Sequence, residues 1–226
     1  MTPVRHLDES TVIAYSGGAL SQALAVVASA HLERCAHCRQ RVWEADRIGG
    51  ALVGMQQPSE LPAGARDAML ALIDEAPREA PEVAHDLDAL AADALAPPDP
   101  DRLPAALHPW FGPSMRALRW RRIAPGVQRI RARGVQGGEL ILLRIAPASR
   151  LPLHGHEGTE LTMILDGAYT DMLGHFGPGD VADLDEHVRH QPVTTEGVPC
   201  VCVAALDAPL RFSGWFARAL QPILRF

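Results

Sequence analysis

The stretch from His31 to Cys38 constrains the fold of this chain more than any other, because it gathers three metal-ligating side chains within eight residues. Each helical residue turns the chain by ~100°, so His31, Cys35 and Cys38 fall within roughly 60° of one another on one face. His37 points away from that face. Structural zinc takes four Cys or His donors, and His6 is the nearest upstream candidate for the fourth. The sequence therefore predicts a zinc site formed by His6, His31, Cys35 and Cys38.

The alternative for this stretch is packing without metal. Free Cys is among the most buried residue types and behaves as a small hydrophobe, and His31 could be a hydrogen-bonded core histidine. A lone C-x-x-C pair would leave the two explanations balanced. The histidine one helical turn before Cys35, together with His6 near the chain start, favours zinc.

Helix-start and helix-stop signals around the motif predict a small domain of about four helices. Asp8 and Ser21 are suitable N-cap residues, Gly17-Gly18 would end the first helix, and Pro62 stands at the first turn of the fourth. A core made by so few helices is marginal alone, and structural zinc would add ~10 kcal/mol or more. We expect Val42, Trp43, Ile48 and Leu52 of the third helix to face this core. The apolar residues of the fourth helix predict a short amphipathic helix: Ala65, Met69, Leu72 and Ile73.

The chain changes character between residues 76 and 114, where eight prolines stand among Ala and Asp. This composition is typical of a linker. From Arg116 onward the hydrophobic period shifts toward two, and Gly-containing turns separate short strands. We therefore predict an α + β chain of two domains. They are a helical zinc-binding domain at residues 1–76 and an antiparallel β-barrel at residues 115–226, joined by a Pro/Ala-rich linker at residues 77–114.

A second group of metal ligands is predicted in the β-rich part. His154 and His156 lie two residues apart, hence on one face of a strand, and Glu160 follows after a turn-like segment. Adding His190 gives three imidazoles and one carboxylate, a set suited to zinc, iron, manganese or nickel. His187 is a rival to His190 for the last position. The predicted site is His154, His156, Glu160 and His190.

Composition narrows the classes of partner and compartment. The net charge of −6 argues against nucleic acid as the main partner, because phosphate binding relies on accumulated positive charge. No run of eighteen apolar residues and no signal-peptide core is found, so we expect a cytoplasmic protein with no membrane contact. The four cysteines form two close pairs, which suits a reducing compartment. Cys200 and Cys202 would share one side of a strand, and core packing is favoured over metal ligation for both.

The motifs together resemble a known family. His154-x-His156-x3-Glu160-x6-Gly167 resembles the first cupin motif, and Gly177-Pro-Gly-Asp180 followed by His190 resembles the second. A helical H-x3-C-x2-C domain joined to a cupin resembles the ChrR family of zinc-binding anti-sigma factors over nearly the whole chain. Three further stretches share the resemblance: residues 12–20, the segment around Cys200 and Cys202, and residues 207–212.

The resemblance implies a regulatory function. In that family the helical domain binds an extracytoplasmic-function sigma factor, RpoE-like, in a 1:1 complex and blocks its access to core RNA polymerase. The cupin-like domain serves the response to singlet oxygen or related oxidants. Carried over to this chain, the first metal would be a structural zinc, and the second a divalent ion with zinc favoured. No catalytic residue and no direct nucleic-acid contact is implied.

The rival hypothesis is a cupin metalloenzyme, such as an oxygenase, with the zinc domain as an accessory. A metal with an open coordination position could bind oxygen or activate water. The sequence offers no acid, base or substrate-specificity motif beyond the ligands, and we therefore favour the anti-sigma function.

Overall fold

The computed structural model describes residues 2–75, 99 and 101–212. These residues fall in two compact units, the first made of Met1–Gly49 with Asp101–Phe226 and the second of Gly50–Pro100. The first unit therefore contains both the helical metal motif and the β-rich part. The predicted domain boundaries stay predictions, because most of the proposed linker lies outside the described residues.

The predicted helix signals lie where the helices begin and end. Ser21 caps the second helix by accepting a hydrogen bond from the backbone N–H of Leu24 at 3.4 Å. Asp8 precedes the first helix and Gly17 follows it. The described part of the N-terminal region contains four α-helices: α1 (Glu9–Ser16), α2 (Gln22–Arg34), α3 (Ala36–Gly54) and α4 (Ala65–Glu75). No helix in the described ranges is long and apolar enough to cross a membrane.

The β-rich part is built from antiparallel pairs, as the period-two pattern predicts. Its central sheet has the strand order β1-β2-β3-β11-β5-β8, and two smaller sheets have the orders β10-β6-β7 and β12-β4-β9. The strands are β1 (Arg121–Ala124), β2 (Val127–Arg131), β3 (Glu139–Ile145), β4 (His154–His156), β5 (Glu160–Asp166), β6 (Tyr169–Asp171), β7 (Gly174–Phe176), β8 (Val181–Leu184), β9 (Arg189–His190), β10 (Val193–Thr194), β11 (Cys200–Leu206) and β12 (Leu210–Phe212).

Helix α2 covers one face of the central sheet. Its buried side chains belong to the same hydrophobic cluster as the outward-facing side chains of β3, β5 and β11. The helix contributes Leu24, Val27 and Ala28, and the sheet contributes residues such as Leu142 and Leu161. Alternate residues of β11 point the other way, into the barrel. The apolar face of α2 is therefore buried against the sheet.

The last residues of the predicted linker, from residue 101 onward, include packed structure. Leu103 and Leu107 are buried in the shared cluster. Each carboxylate oxygen of Glu33 accepts a backbone N–H at 2.8 Å, from Ala105 and Ala106. These bonds satisfy amides at the start of a 3-10 turn, Ala105–Leu107, which leads into the short helix α5 (His108–Phe111).

Several apolar side chains of α3 and α4 are exposed, which for α3 is contrary to expectation. Trp43, Ile48 and Leu52 are each more than half exposed, whereas Val42 packs against the shared cluster. Helix α4 has no buried residue. The apolar residues of these helices recur with a helical period, but most of their large apolar side chains are exposed.

Candidate functional site

The four residues of the predicted zinc motif come together at the start of the chain. One ligand atom from each lies within 4.8 Å of the others: His6 before α1, His31 near the end of α2, Cys35 between α2 and α3, and Cys38 in α3. Nε2 of His31 lies 3.3 Å from Sγ of Cys38, and Nδ1 of His6 lies 3.3 Å from Sγ of Cys35. The short break between α2 and α3 allows both sulfurs to turn toward the histidines.

Hydrogen bonding and burial suit these side chains to a metal. Nδ1 of His31 lies 2.9 Å from the carbonyl oxygen of Gly179 and donates to it, which directs the lone pair of Nε2 at the cluster. Burial lowers the pKa of His31, so its ring stays neutral. Burial also raises the pKa of Cys38 to about 11, so its thiol keeps its proton unless a cation displaces it. Two neutral imidazoles and two thiols match the donor set of structural zinc.

The β-rich part holds this cluster in place. One carboxylate oxygen of the buried Asp180 accepts the backbone N–H groups of Val4 and Arg5 at 2.7 and 3.0 Å. The other accepts the N–H of Gly177 at 2.9 Å. The same turn supplies the Gly179 carbonyl that orients His31. The turn between β7 and β8 therefore positions both His6, through its neighbours, and His31.

The second cluster lies where β4 pairs with β9. His154 stands opposite His190 in the antiparallel register, and the ring nitrogens of His154, His156 and His190 lie within 4.8 Å of one another. All three side chains are buried. The register of two short strands thus brings together residues that are 36 positions apart in sequence.

The tautomers of this cluster favour a cation at its centre. Nδ1 of His154 donates to the carbonyl of Pro152 at 2.9 Å, and Nδ1 of His190 donates to Asp171 at 2.8 Å. With both Nδ1 atoms protonated, the Nε2 atoms are acceptors, and they face each other at 3.0 Å. Nε2 of His156 is buried and has no hydrogen-bond partner among the described residues. Lone pairs converging in this way are stabilised by a metal ion.

Glu160 lies beside the three imidazoles but outside their 4.8 Å group. Its Oε2 is 3.2 Å from Nδ1 of His156, and its Oε1 accepts a hydrogen bond from Thr162 at 2.8 Å. Burial would raise the pKa of Glu160, but the adjacent imidazoles, with His156 contributing most, lower it to about 2. The residue is a carboxylate at neutral pH, suited to complete a metal site or to orient His156.

Three other candidates lie outside both clusters. The side chain of His187 is 82% exposed and contacts Glu186 at 3.7 Å. Cys200 and Cys202 pack with Ile164 and Tyr169 in a core cluster of the barrel. Burial raises the pKa of Cys200 to about 12 and raises the pKa of Cys202 well above its usual value, so both are unreactive thiols. These positions agree with the packing role favoured for the two cysteines.

Two supporting residues were missed by sequence reasoning. Asp171 fixes the tautomer of His190, and Gly179 fixes that of His31. The Gly177-Pro-Gly-Asp180 turn was visible in the sequence, but nothing in the local pattern connects it to a histidine 148 positions away.

The chain is similar to known proteins in both sequence and structure. Residues 113–208 match the model of the ChrR cupin-like domain. The chain is 36% identical over 227 residues to the anti-sigma-E factor ChrR of Cereibacter sphaeroides, with 100% of each sequence covered. A crystal structure of Rhodobacter sphaeroides SigE in complex with the anti-sigma ChrR matches with a TM-score of 0.70 and 29% identity. That match covers 92% of this chain and 100% of the matched chain.

Proposed function

The chain belongs to the ChrR family of anti-sigma factors, and from this premise we propose that it binds one extracytoplasmic-function sigma factor in a 1:1 complex and keeps it from core RNA polymerase. The full-length match to an anti-sigma factor is the observation that carries this function. It favours a regulator over the metalloenzyme considered above. Because the sigma factor and the polymerase act in the cytoplasm, we place the protein there as well.

The contact surface we propose is formed by the exposed apolar side chains of α3 and α4. Two groups of large apolar residues stand in solvent there: Ile48, Leu52 and Val53 on α3, and Met69, Leu70, Leu72 and Ile73 on α4. Helix α4 has no buried residue. Large apolar side chains exposed in such number are typical of interaction sites. An amphipathic helix can lay such a face into a groove of its partner.

We propose that zinc is bound by His6, His31, Cys35 and Cys38. Zinc would join α2, α3 and the N-terminal arm that carries His6, and so fix the direction in which α3 leaves the cluster. Gly179 and Asp180 contribute by orienting His31 and the arm that carries His6. The role of the site is structural, because all four positions of a tetrahedral ion would be filled by protein.

We propose a second divalent ion, with zinc favoured, at His154, His156 and His190, with Glu160 as the fourth ligand. Asp171 and Pro152 hold two of the rings in the tautomer that an ion requires. Following the family resemblance, we assign the β-rich part to the response in which oxidants such as singlet oxygen release sigma. The packing of α2 on the central sheet offers a route by which a change in the barrel reaches the helices.

The experiment is a binding measurement on the full chain with the sigma factor encoded beside its gene. Leu72→Glu places a charge in the centre of the proposed surface, and we expect at least about tenfold weaker binding. Met172→Glu makes the same change at an exposed apolar residue of the β6–β7 turn and should leave the affinity unchanged. Equal affinities for Leu72→Glu and the unaltered chain would exclude α4 from the contact.

A further inference from the structure

The barrel encloses a cavity that the proposed function does not use. Its volume is about 380 Å³, within the range of small-molecule sites. Apolar side chains of the central sheet form most of its wall, among them Ile141, Leu143 and Ile145. His154, His190 and Glu160 border one end. A cavity of this kind, apolar with a few converging polar groups, has the form of a ligand site rather than a packing defect.

A buried hydroxyl with no acceptor gives the second, independent observation. Tyr169 is only 4% exposed and lines the same cavity. In the described part of the chain its hydroxyl has no hydrogen-bond partner. Burial raises the pKa of this phenol well above its usual value, so the group is a hydrogen-bond donor. Buried donors in folded proteins almost always meet an acceptor.

The Tyr169 ring itself is held firmly, so the hydroxyl has a fixed position. The ring stacks on Phe176 at 4.8 Å between centroids and 20° between planes. A hydroxyl on a mobile side chain could rotate toward water, whereas the stacked and buried ring of Tyr169 cannot. The unmet donor therefore indicates an acceptor that is not among the described residues, and a ligand in the cavity would supply one.

We propose that the barrel cavity binds an aliphatic monocarboxylate, whose carboxylate accepts a hydrogen bond from Tyr169 beside the histidine cluster and whose hydrocarbon chain lies against Ile141, Leu143 and Ile145. The apolar wall favours a ligand with a hydrocarbon chain, and the Tyr169 hydroxyl favours a ligand with an oxygen that accepts a hydrogen bond. The preference for a carboxylate over a hydroxyl head group rests on the proposed second metal, because a carboxylate oxygen is a better ligand for a divalent cation than an alcohol oxygen. Binding of such a ligand would allow the β-rich part to respond to a small molecule as well as to oxidation.

The test is calorimetric titration of the metal-loaded full chain with octanoate and, separately, with 1-octanol. We expect saturable octanoate binding and ~10-fold or greater loss of affinity in Tyr169→Phe, which keeps the stacked ring but removes the donor. Octanol should bind at least ~10-fold more weakly than octanoate. Tyr15→Phe is the matched control: this hydroxyl contacts Ser29 in the helical part at 2.9 Å, and its loss should not change octanoate affinity.

Three outcomes overturn the proposal: no octanoate binding, equal binding of octanol and octanoate, or an unchanged affinity in Tyr169→Phe. Sigma binding by each variant, measured in parallel, reports folding and tests the anti-sigma function independently. A Tyr169→Phe chain that binds sigma normally but keeps full octanoate affinity refutes the ligand site alone. Ala204→Met, which narrows the cavity from β11, should weaken octanoate binding without affecting the Tyr169 hydroxyl.

Discussion

Replacing Val27 by Ala tests whether the helical motif and the barrel share one core. Val27 is fully buried where α2 packs on β5 and β11. The substitution removes two carbon groups, each worth ~0.8 kcal/mol on transfer from water, and leaves a cavity that adds to the cost. We expect the free energy of unfolding to fall by ~2 to 3 kcal/mol.

The assay is urea unfolding of the zinc-loaded chain, followed by far-ultraviolet circular dichroism and by zinc release to an indicator dye. Val27 lies in the same cluster as Leu142 and Leu161. The unfolding midpoints of both signals should therefore shift together to a lower urea concentration, and the slope of unfolding free energy against urea should not change.

Val53→Ala is the matched control, because it deletes the same atoms from a side chain that is 68% exposed. Its effect should stay within ~0.5 kcal/mol. The shared-core account is refuted if Val27→Ala leaves stability unchanged, or if zinc release shifts while the β-sheet signal does not.

Three further predictions concern the metal sites. Cys38→Ser should abolish zinc binding by the first cluster, measured by metal analysis, whereas His37→Ala should retain it; retained zinc in Cys38→Ser contradicts the assignment. His190→Ala should lose the second metal and His187→Ala should keep it, and the reverse result would exchange their roles. Asp180→Asn, which weakens the bonds to two N-terminal amides, should lower zinc affinity by ~10- to 100-fold in a competition titration; unchanged affinity would show that this turn does not position His6.

Local spacing predicted much of the molecule. His31, Cys35 and Cys38 do come together as predicted, but Cys35 stands in the break between α2 and α3 rather than on one continuous helix face. The strand period placed His154 and His156 together, because i, i+2 geometry is fixed by the backbone alone. The N-cap at Ser21 could be predicted for the same reason, since its bond reaches only three residues along the chain.

Long-range partners could not be predicted in this way. The apolar face of α2 required a partner, but its sequence does not say whether that partner is another helix or the sheet. The same ambiguity explains α3, where Trp43 and Ile48 are spaced like core residues yet stand in solvent. Carboxylates that orient histidines, such as Asp171, have no sequence signature, because register between distant strands places them.

The anti-sigma function can be tested by measuring transcription from a promoter that the cognate sigma factor recognises. Increasing amounts of the full-length protein are mixed with the sigma factor before purified core polymerase is added. We predict that transcription is lost near one chain per sigma factor and that Leu72→Glu requires a large excess for the same effect. Transcription by the primary sigma factor should not change. Full transcription at a severalfold excess of the unaltered protein would contradict the anti-sigma account.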